Sequence, residues 1–290
     1  MSKIKIITDS NSGILQSEAQ DLGLKVIPMP FTIDGEEFLE EISITQDEFY
    51  QKLERDAEVR TSQPSRYYLE ELWDEMLKEN DQLIYVPMSS GLSSTCANAK
   101  IYAEKYNGKV VVVDNKGISV TQKESVLEAK KMVELGCSAL EIKNHLESQD
   151  KKPTIYIAMG VLKYLKKGGR ISPAAAMLGS MLNLKPILLS TGDNFDKFAI
   201  AMSVTQAKKK IIMQVKKDIA TKYADAYNQG KLVVSVAHTQ NYDEAIKFVK
   251  EIEDSIPNVK VKFCDQLSLS VSCHIGPGAL AVALYTNEHA

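Results

Sequence analysis

The sequence predicts an α/β protein of two domains, an N-terminal domain built on a parallel sheet and a C-terminal α+β domain. Three observations carry this. At 290 residues the chain is long for one hydrophobic core. Through the first half, short apolar strands alternate with amphipathic helices, the pattern of a parallel sheet covered on both faces. Near QDKKPT, residues 149–154, a charged helix gives way to a new apolar strand, and beyond it the pattern turns α+β. The domains are therefore placed at 1–153 and 154–290, with a ligand cleft expected between them.

Ile4-Lys5-Ile6-Ile7-Thr8 reads as the first strand, residues 14–22 as a helix and Leu24-Lys25-Val26-Ile27 as the next strand. In FTIDGEEF, Asp34-Gly35 between alternating apolar residues signals a hairpin. Thr45-Gln46-Asp47-Glu48 is a capping box opening a helix to about Arg55. After VRTSQPS, residues 59–65, a helix places Tyr68, Leu69, Leu72, Trp73, Met76 and Leu77 on roughly one face. Strand 82–88, helix 94–107, strand 109–113 and helices to about residue 149 complete a Rossmann-like first domain. In the second domain the expected order is strand 155–159, the segment LKYLKKGGRIS, a small-residue helix PAAAMLGSML, and strands near 185–190 and 195–202. A long helix over 204–227, strand KLVVSVAHT, helix 241–254, strand VKVKFC and the apolar close HIGPGALAVALY follow.

Composition narrows the function. Lys+Arg 35 against Asp+Glu 38 gives a net charge of -3, with no overall field to attract a polyphosphate, so nucleic acid is not an expected partner. Cys96, Cys137, Cys264 and Cys273 form no C-x-x-C pair and stand beside no histidine at a zinc-ligand spacing. They read as reduced thiols, and no metal site is expected. MSKIKIITDS turns polar too soon for a signal-peptide core, and no stretch approaches the ~18 apolar residues of a membrane helix. The expected location is the cytoplasm.

MSSGLSSTC, residues 88–96, holds four serines and a threonine without a charge. Three chemistries compete for it. As a nucleophile, Ser93 within Gly91-Leu92-Ser93-Ser94-Thr95, with His274 downstream, resembles the G-x-S-x-G elbow of a serine-dependent lipid hydrolase, but Thr95 replaces the last glycine. As a phosphate cradle, the loop lacks G-x-x-x-x-G-K-[ST], and no G-x-G-x-x-G occurs in the chain. The third option is a carboxylate held by neutral hydroxyls and helix-terminal amides, since residues 86–99 contain neither Lys nor Arg. A second hydroxyl group, Thr61-Ser62-Gln63-Pro64-Ser65, also precedes a helix, and loops at the carboxyl ends of parallel strands share one crevice. Ser65 as a helix cap, with Thr61 and Ser62 as turn residues, remains the plainer alternative.

Other residues carry two readings each. Asp9 and Ser10 in TDSNS read as caps of the following turn or helix, since Asn11 stands where a second aspartate would be needed for an aspartate nucleophile. His274 in SCHIGPGA reads as a packed core histidine, although Gly276 and Gly278 point to a tight backbone approach. Arg170 in KKGGRIS is either a helix-end cation or a residue freed by its glycines to reach a ligand. Met159, Leu162, Met177, Leu178 and Met181 are candidates for the far end of a ligand pocket or for ordinary core.

TDSNS, TSQPS, SSGLSST, LKKGGRIS, LKP and HIGPGA, in this order and spacing, resemble the DegV family, which includes the fatty-acid-binding subunits of bacterial fatty acid kinase. The resemblance spans nearly the whole chain. It implies a non-catalytic, two-domain protein that encloses one long-chain fatty acid, needs no cofactor, and presents the carboxylate to a separate ATP-binding kinase subunit. The acyl phosphate so formed serves phospholipid synthesis. Carried over by position, the carboxylate contacts fall on Thr61 or Ser62, on Ser93 with the adjoining amide of Ser94, and on His274, with Ser10, Arg170 and Gly276 as further pocket or partner contacts. The family pattern often has glycine where Ser94 stands. A stand-alone acyl-chain sensor would leave the same marks in the sequence.

Overall fold

The computed structural model describes residues 3–148, 152–161, 163–176 and 184–289. They divide into two compact units. The first comprises the residues up to Lys152 with Ser268–Ser270 and His289, and the second comprises Pro153–Leu267 and Val271–Glu288.

In the first unit, β1 (Ile4–Asp9), β2 (Lys25–Ile27), β6 (Gln82–Val86) and β7 (Val110–Val112) form an all-parallel sheet in the order β2-β1-β6-β7. Alternation along these strands sends side chains to opposite faces. Ile6, Ile84 and Val86 meet Ile14, Val126, Ala129, Ile142 and Leu146, so α1 (Gln16–Asp21), α5 (Val120–Glu134) and α6 (Ala139–Leu146) cover one face. Ile7, Leu83 and Tyr85 meet Leu69, Trp73, Cys96 and Ala99, so α3 (Arg66–Met76) and α4 (Thr95–Ala103) cover the other. The Asp34-Gly35 hairpin joins β3 (Pro30–Ile33) to β4 (Glu36–Leu39), and Thr45 and Glu48 form the expected capping box at α2 (Gln46–Glu54).

One strand is not evident in the sequence. Val59–Thr61, read there as part of a loop, is β5, which pairs antiparallel with β3 and sets Thr61 opposite Phe31. Three residues are too few for a period-two signal.

The second unit holds a mixed sheet in the order β10-β9-β8-β13-β11-β12. Its strands are β8 (Thr154–Ala158), β9 (Lys185–Ser190), β10 (Asp196–Ala201), β11 (Leu232–His238), β12 (Val261–Gln266) and β13 (Leu280–Thr286). Only the β11–β12 pair is parallel. Ile211, Ile212, Val215 and Ile219 of α9 (Val204–Ala220) and Phe248 and Ile252 of α11 (Tyr242–Ser255) pack on Tyr156, Val234, Val236 and Val282. The short helices α7 (Lys163–Gly168) and α8 (Pro173–Ala176) lie between β8 and β9.

Two expectations need correction here. The helix expected over 204–227 stops at Ala220 and resumes as α10 (Ala224–Asn228). Tyr223 between them is 2% exposed, and its hydroxyl lies 2.8 Å from Thr154 Oγ1, so the chain turns inward to bury the ring. Residues 269–275, assigned no element from the sequence, form α12 (Leu269–Ile275). Leu267-Ser-Leu269-Ser-Val271-Ser-Cys273 alternates with period two and hides the helix. Leu162, Met177, Leu178 and Met181 lie outside the described residues, and Met159 is buried. Among the described residues no helix is long and apolar enough to cross a membrane.

Candidate carboxylate-binding site

From β1 the chain runs to β2 on one side of the sheet, and the other neighbour of β1 is β6, so the loops after β1 and β6 flank a topological switch point. Asp9, which ends β1, fastens them together. Its carboxylate accepts the Met88 amide at 3.0 Å, the Asn11 amide at 3.1 Å and Gln122 Nε2 at 3.0 Å. Burial pushes the Asp9 carboxyl above its ordinary range, and these donors oppose the rise. The loop after β7 joins them through Ser89 N–H to the Gly117 carbonyl at 2.9 Å and Ser119 N–H to the Asn11 carbonyl at 2.9 Å.

On this frame the two hydroxyl loops face each other. Gln63, in the middle of TSQPS, receives the Ser94 hydroxyl at 3.1 Å and Asn98 Nδ2 at 2.9 Å, both at its Oε1. Ser94 has φ −74° and ψ −8°, a right-handed conformation that needs no glycine, so its side chain acts as a tie between loops. Its amide has no acceptor among the described residues and stands at the start of α4. The Ser93 hydroxyl lies 2.9 Å from Thr95 Oγ1 and accepts the Thr95 amide at 3.2 Å. Ser93 does not have the positive φ of a strained elbow, and nothing in its bonding resembles an activated nucleophile. Thr61 is half-buried at the end of β5, and the exposed Ser62 donates its amide to the Pro30 carbonyl at 3.1 Å. Ser65 caps α3 by accepting the Tyr68 amide at 3.1 Å.

The cation nearest this loop in the bonding pattern is already matched. Lys116 Nζ donates to Ser90 Oγ at 2.8 Å and lies 3.6 Å from Asp114. Burial opposes ionisation of Asp114, yet two bonds from Ser90 together with Lys116 hold its carboxyl below the usual range. Thr61, Ser62, Ser93 and Ser94 are neutral hydroxyl residues, and the nearby Lys116 is engaged by Ser90 and Asp114.

Ser10 is committed elsewhere. It is 3% exposed, donates to Glu40 Oε2 at 2.6 Å and accepts the Met29 amide at 3.1 Å. Glu40 also accepts the Leu269 amide, and Asn11 Oδ1 accepts the Ser270 hydroxyl at 2.5 Å. Burial pushes the Glu40 carboxyl up to about 8, against the two donors that favour its charged form. In the sequence Glu40 sits in the charged stretch FLEEIS, where nothing marks it as 2% exposed. Gln63 lay inside a quoted motif, but only the fold reveals what it bridges.

In the second unit, burial and the neighbouring Arg170 push the His274 imidazole down to about 4, so it is neutral at physiological pH. Arg170 is half-buried, and its carbonyl accepts the Phe195 amide at 3.0 Å. Gly276 has φ +75°, and a Cβ there would lie 2.2 Å from the Tyr164 ring. Its carbonyl accepts Thr239 Oγ1 at 2.6 Å. The tight approach expected of HIGPGA is thus that of Gly276 to Tyr164 and of the Pro277–Gly278 backbone to Gly160, where a Cβ would lie 2.2 Å from the Pro277 carbonyl oxygen.

The fold is that of an α/β protein with one unit built on a parallel sheet and one on a mixed sheet. The chain belongs to the DegV family, whose profile, described as that of an uncharacterised protein family, matches residues 3–287. A DegV domain-containing protein of Staphylococcus aureus is 28% identical over 284 residues, covering 98% of this chain and 99% of its own. The fold is similar to a fatty-acid-binding DegV family protein from Thermus thermophilus, with TM-score 0.87, 28% identity, and coverage of 98% of this chain and 99% of that one. It is also similar to DegV, a fatty acid binding protein from Bacillus subtilis, with TM-score 0.84, 25% identity, and coverage of 99% and 100%.

Proposed function

We propose that this protein binds one long-chain fatty acid in the cytoplasm and presents its carboxylate to a separate ATP-binding kinase subunit, which forms the acyl phosphate. The observation that carries the reading is the pair of hydroxyl loops joined through Gln63, beside which Lys116 is already paired with Asp114. Thr61, Ser62, Ser93 and the Ser94 amide receive the carboxylate, and neutral His274 is a further contact. Ser10 supports the frame through Glu40, and Gly276 shapes the turn beside Tyr164. Burial, aided by the neighbouring Arg170, keeps His274 neutral.

The energetics suit such a ligand. Burying about fifteen methylenes at ~0.8 kcal/mol each is worth about 12 kcal/mol gross, from which the cost of association is subtracted. The chain supplies affinity and the hydroxyls supply orientation. A carboxylate that must attack a phosphoryl group is better held by neutral donors than by a tight ion pair, which would lower its nucleophilicity. The test is acyl phosphate formation from oleate with the kinase subunit and ATP, trapped as the hydroxamate. Ser93→Ala and Thr61→Ala should each lower the rate about tenfold, the loss of one hydrogen bond to a charged group. Undiminished rates in both would remove the carboxylate role from these loops, and failure to capture any kinase would leave an acyl-chain sensor.

A further inference from the structure

Glu128, His145 and His289 are distant in sequence and show no metal-ligand spacing, yet the fold gathers them in the first unit. Glu128 is on α5, His145 is in the last turn of α6, and His289 follows β13. One ligand atom from each lies within 4.8 Å of the other two. His145 Nε2 is 2.8 Å from Glu128 Oε1, and the two imidazole rings are 5.7 Å apart between centroids. Glu128 is 1% exposed, and both histidines are half-buried.

The chemistry of the donor set names the ion. Two imidazoles and a carboxylate are a donor set of intermediate softness that suits zinc. Tetrahedral ligands at zinc stand about 3.3 Å apart, so small rotations of the three side chains close the site. We propose that Glu128, His145 and His289 bind one Zn2+ ion, with the fourth position left to water. The ion fastens His289 to the α5–α6 pair.

The test uses the full chain, without a polyhistidine tag and stripped of metal, titrated with Co2+ as a spectroscopic probe and then with Zn2+ in competition. The expected result is one ion per chain, the visible absorption of four-coordinate Co2+ without thiolate charge transfer, and a melting temperature raised by Zn2+. His289→Ala and His145→Ala should each weaken binding at least about 100-fold, beyond the loss from removing a supporting hydrogen bond. His289→Ala, at a half-buried position, should melt like the metal-free parent and gain nothing from Zn2+. Glu128→Gln tests the carboxylate, and should it fail to fold, the histidine variants still decide. Absence of binding, thiolate charge transfer pointing to the cysteines, or unchanged affinity in both histidine variants would overturn the site.

Discussion

Buried Glu40 and half-buried His274 should leave opposite marks on stability. His274 titrates near 4 in the fold against its ordinary 6.5. The unfolded chain therefore takes up a proton that the folded chain refuses, and stability falls as pH drops from 6.5 toward 4. Glu40 titrates near 8 against 4.5. The folded chain keeps a proton that the unfolded chain has lost, so this contribution is complete below pH 4.5 and disappears as pH rises toward 8. Urea unfolding across pH should show Glu40→Gln flattening the decline between 6.5 and 8, by about 2 kcal/mol over that span. A slope equal to that of the parent would mean the carboxyl is not held as described. Gly276→Ala should cost about 2–4 kcal/mol, because Tyr164 must move and the new side chain sits at positive φ. A change below half a kcal/mol in the same assay would contradict that packing.

At the scale of elements, the sequence reveals what local chemistry decides. The Asp34-Gly35 hairpin, the Thr45–Glu48 box and the alternation of β1, β6 and β7 were all legible because turn residues, caps and periods act over a few residues. β5 was hidden by its length, α12 by its period-two serines, and the break before α10 by the burial of Tyr223 in the core beside Thr154. The same division runs through the site. The hydroxyl loops were quoted from the sequence, whereas Gln63 as their bridge, Glu40 as the partner of Ser10 and the meeting of Glu128 with two histidines depend on contacts across many residues. Caps offer a direct check. Ser65→Ala should lower stability by about 1 kcal/mol while leaving fatty acid binding unchanged, and a loss of binding comparable to that of Ser93→Ala would make Ser65 part of the receptor.

For the whole molecule, the central claim is that the chain carries one long-chain acid, its carboxylate met by neutral hydroxyls. DegV membership and the likeness to the Thermus thermophilus and Bacillus subtilis proteins extend over both units, so the ordered motifs were informative as a set even where each was weak alone. Chain length and branching are fixed by side chains at the far end of a pocket, which short motifs do not encode. Native mass spectrometry of the purified protein, followed by organic extraction and identification of the released molecule, tests the claim most directly. One equivalent of a long-chain fatty acid per chain is the predicted result. An empty protein that takes up neither oleate nor palmitate would contradict it, and the hydroxyl loops would then have to hold a different anion.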